Sequence, residues 1–137
     1  MKYLVLAVFL SASSSALAAD CKASLSGLWR TKASSGLDVV VRYKADGDFG
    51  ALISKGEERP ILATGKWTCQ DGILVTYVHE IDGAKVPSND PAMVTRYFVA
   101  SRKKDSFTAT SSGEKHPRVY VRMSGTLEEY YRRTYAP

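Results

Sequence analysis

Few residues in this chain have the type and spacing to do chemistry. There are two histidines, His79 and His116. Imidazole is the natural proton carrier and metal ligand near neutral pH. His79 and Glu80 are adjacent, so on a strand they would point to opposite faces; His116 precedes Pro117 in a turn-like stretch. A metal site needs several ligands converging at fixed spacing, and the chain has no His-x-His, no His-Glu-x-x-His and no cysteine cluster. No Gly-x-Ser-x-Gly elbow is present, so no serine has the strained turn that makes a nucleophile of it. "SSGEK" (Ser111 to Lys115) lacks the glycine spacing of a phosphate loop. Asp46, Asp71 and Asp82 each precede a glycine and are assigned to turns. Without a nucleophile–base pair, the expectation is no enzyme, no catalytic residue, no metal and no cofactor. Carboxylates converging with His79 in a cleft would overturn it.

One pair has binding chemistry. Arg118 and Tyr120 form an Arg-x-Tyr, which on a strand points both side chains the same way. A guanidinium fork and a phenol can grip a carboxylate. The opposing reading puts Val119, Val121 and Met123 inside and Arg118 and Arg122 in water, and the rule that apolar residues go inside favours it.

The cysteines are Cys21 and Cys69. Upstream, Lys2 precedes the apolar "YLVLAVFL" and the small residues "SASSSALAA", the order of a secretory leader ending in Ala16-Leu17-Ala18. Residues 1–19 are read as a signal peptide and 20–137 as one domain. The apolar run is shorter than the roughly 20 residues a membrane helix needs, and no transmembrane segment is expected. A lipid anchor at Cys21 is disfavoured because Asp20 stands where a small residue belongs. The expected location is periplasmic or secreted. An exported chain with two cysteines most simply forms one disulfide, Cys21 to Cys69, with two free thiols as the alternative.

Removing Lys2 lowers the formal charge of +5 to +4. Bases and acids are interspersed in "KGEERP", "RKKD" and "EEYYRR". A nucleic-acid partner would call for a concentrated basic patch or a known module, and none is expected.

The elements that must position these residues are strands. "LDVVVRYK" (Leu37 to Lys44) alternates, with Leu37, Val39, Val41 and Tyr43 on one face. Asp46-Gly47 then reads as a hairpin turn. "FGALIS", "ILATGKWTC", "ILVTYVHEI", "AMVTRYFVAS", "SFTATS" and "RVYVRM" follow. With "GLWRTK" at the start, the count is eight strands on mostly short links, implying antiparallel neighbours. The architecture expected is all-β: an antiparallel up-and-down eight-stranded barrel, with a sandwich as the competitor. Its inward face is read as Val39, Val41, Tyr43, Phe49, Ile53, Val75, Tyr77, His79, Met93, Tyr97 and Val99. "TLEEYYRR" has Thr126 three residues before Glu129, a capping box. It predicts a short C-terminal helix, with Leu127, Tyr130 and Tyr131 on one side and Glu129 able to pair with Arg133. Such a segment must pack on something, and the open barrel end is the expected place.

"SGLW" (Ser26 to Trp29) is echoed by "TGKW" (Thr64 to Trp67), read as chance or shared strand-entry chemistry rather than a repeat. "LSGLWR", the Asp-Gly hairpin "KADGDFG", "GKWTCQDGILV" and a late-strand arginine resemble the lipocalin or calycin superfamily, and more closely the short lipocalin-like domains of secreted bacterial proteins. The Thr-Asp-Tyr triplet usual in that family is absent. The resemblance implies that Gly27 and Trp29 close the barrel base and that Arg122, with Arg118 as second choice, packs across the tryptophan. Trp67 joins them as a structural residue.

The function expected is binding of a small apolar or amphipathic ligand in or at the barrel mouth, with Tyr43, Tyr77, His79, Tyr97, Arg118 and Tyr120 as candidate contacts. The alternative is a protein-binding module, such as an inhibitor or immunity protein acting on a cell-envelope hydrolase through the polar loop Asp82 to Pro91.

Overall fold

The computed structural model describes residues 21–56 and 58–136; the leader assigned to 1–19 lies outside the described residues. Strands β1 (Gly27–Lys32), β2 (Asp38–Tyr43), β3 (Asp48–Ser54), β4 (Ile61–Gln70) and β5 (Ile73–Ile81) form a meander. After the two-residue β6 (Ala84–Lys85), β7 (Val94–Arg102), β8 (Ser106–Ser111) and β9 (Arg118–Met123) continue it. All pairings are antiparallel, β9 joins β1, and β7 and β4 both join β5. The result is a closed eight-stranded barrel, with β6 only extending the end of β5. Closure leaves no long unpaired edge.

Two of the three Asp-Gly turns take the expected two-residue form: Asp71 and Gly72, and Asp82 and Gly83, all have positive φ, the geometry that matches strand twist. At Asp46-Gly47 only the glycine does, in a longer turn closed by the Lys44 N–H donating to the Asp48 carbonyl. Residues 21–25 are helical and cover one barrel end. There Cys21 is bonded to Cys69, and Cys21, Leu25, Trp29 and Trp67 are almost wholly buried. Both indole N–H groups of the echoed tetrapeptides donate to backbone carbonyls, Trp29 to Leu25 and Trp67 to Lys44, each at 2.8 Å. Buried indoles need such partners.

The helix Leu127–Tyr135 begins at Thr126, whose hydroxyl accepts from the Glu129 N–H at 3.1 Å. It does not cover the open end. It lies on the outer wall, where Leu127 and Tyr130 pack with Leu28, Val40 and Leu52. The stripe Val40–Leu52 on β2 and β3 faces outward, and the helix is what removes it from water. Glu128 binds Arg42 at 2.8 Å, whereas Glu129 and Arg133 form no ion pair among the described residues.

Two strands face opposite to the sequence expectation. On β9, Val119 and Val121 are 56% and 53% exposed while Tyr120 is buried. Register explains this. Tyr120 pairs with Phe107, and Arg122 with Trp29; directly opposed residues share a face. Phe107 and Trp29 are core residues, so their partners must point inward, and a one-residue slip to bury the valines would expose the aromatic side. On β5, Leu74 and Thr76 are buried and Val78 packs on the core. By alternation Val75, Tyr77 and His79 take the other face, on which Val75 is still buried while His79 is exposed. His79 is the extra residue of a bulge, since Thr64 pairs with Glu80 and Gly65 with Val78. Met93 sits in a 3-10 turn, Pro91–Met93, rather than on an inward strand face.

Candidate functional site

The barrel interior is not filled. Above the two tryptophans lies a cavity of about 230 Å³. Its walls are apolar: Val39, Val41 and Tyr43 of β2, Phe49 and Ile53 of β3, and Val78 of β5. β5 and β7 add the hydroxyls of Thr76 and Thr95, the turn before β2 adds Ser35, and Tyr97, Arg118 and Tyr120 also line the cavity. Four of the six candidate contacts, Tyr43, Tyr97, Arg118 and Tyr120, thus meet in one space. Tyr77 and His79 do not; His79 lines a shallow outer depression with Arg42, Asp48 and Glu80.

The polar corner has defined geometry. Arg118 Nη2 lies 2.6 Å from Glu114 Oε1, and the two side chains are 18% and 9% exposed. Ser111 Oγ donates to Glu114 at 2.8 Å. The Arg118 guanidinium stands 5.7 Å from the centre of the Tyr97 ring. Arg118 Nε is buried and has no hydrogen-bond partner among the described residues. The Arg118 hydrogen bond holds the Glu114 carboxyl below its usual range, against its partial desolvation. Burial opposes the charge on Arg118, but the hydrogen bond to the Glu114 carboxylate supports it, and the guanidinium is held more firmly charged. Burial raises the phenols of Tyr97, Tyr120 and Tyr43, so all three stay neutral hydrogen-bond donors at ordinary pH. The corner presents a guanidinium paired with Glu114, together with phenols, to a cavity whose remaining walls are apolar apart from Ser35, Thr76 and Thr95.

Glu114 was the residue that strand patterning missed. It lies in the turn between β8 and β9, and its signal was its position four residues before Arg118. Thr76, Val78 and Thr95 were missed because β5 and β7 carry apolar residues on both faces.

Below the cavity an aromatic column leads to the closed end. Tyr120 stacks on Phe107 at 4.3 Å and 5°, and Phe107 meets Trp29 edge-on at 4.7 Å. The Arg122 guanidinium caps the column 4.1 Å from the Trp29 ring centre. It donates to the carbonyls of Lys104, Ser26 and Ser24 at 2.9, 3.0 and 3.1 Å. Gly27 has φ of +131°, and a Cβ there would meet Arg122 Nη1 at 2.5 Å. A side chain at 27 would therefore displace the arginine.

Among the described residues no group of three or more His, Cys, Asp or Glu could hold a metal ion, and no helix is long and apolar enough to cross a membrane. Fold and site together define a small closed barrel with a polar-cornered interior cavity. No model of a known protein family matches the chain, and no curated protein matches it.

Proposed function

We propose that this protein is an exported, lipocalin-like carrier that holds a small amphipathic ligand, its apolar part in the barrel and its anionic head group on Arg118. One observation carries the reading. β9 turns an arginine into an apolar cavity and leaves Val119 and Val121 exposed. Burying two such valines is worth roughly 1.5–3 kcal/mol each, and a desolvated cation is costly. Local choices that oppose folding concentrate at functional sites. The cavity of about 230 Å³ is below the roughly 300–1,000 Å³ of drug-sized pockets. A compact ligand fits, or one end of a longer one. Arg122 over Trp29 beside Gly27 supports the lipocalin-like reading of the closed end. The Cys21–Cys69 disulfide fits an oxidising compartment.

Native mass spectrometry of protein purified from its own host tests this. The expected result is a bound small molecule that carries an acidic group and is lost in Arg118→Met. Apo protein throughout, with no uptake of medium-chain carboxylates, would refute it. A second reading, a protein-binding module, is favoured by the exposed Phe98, Val119 and Val121 on the outer wall. A stable partner captured from envelope extract and lost on Val119→Asp would support that reading.

A further inference from the structure

A second cleft, of about 460 Å³, lies outside the barrel, between the C-terminal helix and the starts of β4 and the β5–β6 turn. It exists because the helix is narrower than the apolar stripe it covers. Val40, Leu52 and Leu62 are cross-strand neighbours on β2, β3 and β4. The helix buries the first two through Leu127 and Tyr130 but leaves Leu62 37% exposed. Leu52, Leu62 and Leu127 form an apolar floor, with Arg59 and Arg132 at the side.

The charges are unevenly committed. Asp82 Oδ1 accepts from the Leu62 N–H at 2.9 Å, and Glu128 is paired with Arg42 at 2.8 Å. Arg59 and Arg132 are exposed and form no ion pair among the described residues. The lining therefore holds two arginines with no ion pair among the described residues and two carboxylates that are each engaged elsewhere. An apolar floor beside uncommitted guanidinium groups is complementary to one ligand class. We propose that this cleft is a second binding site, separate from the barrel interior, for a small amphipathic anion: an apolar body on the leucines and a single anionic end toward Arg59 and Arg132.

The test is a titration of the full mature chain with naphthalene-1-sulfonate, followed by amide NMR shifts, beside the neutral naphthalene-1-methanol. Saturable shifts are expected at Leu62, Asp82, Tyr131 and Arg132. Charge-assisted hydrogen bonds of the usual strength imply that the neutral probe binds roughly tenfold more weakly. Arg59→Ala combined with Arg132→Ala should lose a similar factor, and Leu62→Glu, at an exposed position, should abolish the shifts. Leu62→Glu and the double variant both alter the cleft rather than the core, and far-UV circular dichroism checks that the barrel and helix persist. The proposal is overturned if these amides do not respond, if only interior residues such as Thr76 and Tyr97 respond, or if the double variant binds as the parent does. Equal affinity for the neutral probe also overturns it.

Discussion

If the Glu114–Arg118 pair serves a ligand rather than the fold, replacing both residues should cost the barrel nothing. The two side chains are largely desolvated, 2.6 Å apart, and Arg118 Nε is left without a partner. Removing one member of such a pair strands the other and costs roughly 3–5 kcal/mol when burial is complete. Here residual exposure and the Ser111 hydroxyl soften the loss, so Arg118→Met alone should cost about 2–3 kcal/mol. Glu114→Leu combined with Arg118→Met removes both charges and fills the space with apolar atoms. Such exchanges run from neutral to stabilising by about 1–4 kcal/mol. Taking a urea m-value of about 2 kcal/mol/M, the single variant should lower the midpoint by about 1–1.5 M. The double variant should match or exceed the parent while losing uptake of carboxylate ligands. Urea melts at neutral pH, with the disulfide intact and tryptophan fluorescence as signal, read this directly. A double variant that falls as far as the single one would show the pair to be a clasp needed by the turn before β9, and the functional argument would fail.

Three further outcomes are expected. Trp29→Ala removes a wholly buried indole with its hydrogen bond to Leu25 and its contacts with Phe107 and Arg122; urea melts should show a loss of roughly 3–5 kcal/mol. Glu114 has a depressed pKa in the folded state. Its contribution to stability is therefore complete above the ordinary glutamate range and is lost as pH falls through the depressed value; stability measured against pH should have a flatter acid limb in Glu114→Gln. The disulfide closes a loop spanning 48 positions, and Cys21→Ser with Cys69→Ser should lower stability by roughly 4 kcal/mol on chain-entropy grounds, read from the same melts.

The strand count and the turn positions were legible because they rest on local signals: Asp-Gly pairs, β-branched runs and short links. The disulfide was legible from cysteine number and the expectation of export. The capping box at Thr126 placed the helix, yet its seat was not legible. Nothing local says that Leu28, Val40 and Leu52 leave an apolar stripe on the outer wall for Leu127 and Tyr130 to cover. Of the candidate contacts, Tyr43 was read from a strand with one plainly apolar face, Leu37, Val39, Val41 and Tyr43. Tyr77 and His79 were misplaced because "ILVTYVHEI" is apolar on both faces, and because a bulge against Thr64 and Gly65 inserts His79 as an extra residue.

β9 separates the two kinds of information most clearly. "RVYVRM" by itself determines that Arg118, Tyr120 and Arg122 share one face and that Val119, Val121 and Met123 share the other, because a strand has a period of two. It cannot determine which face is the inside. That choice belongs to the neighbours, where Phe107 opposite Tyr120 and Trp29 opposite Arg122 are both buried. Burying that aromatic column outweighs hiding two valines. The sequence thus set the pairing of an arginine with a tyrosine, and the closed barrel aimed them into a cavity.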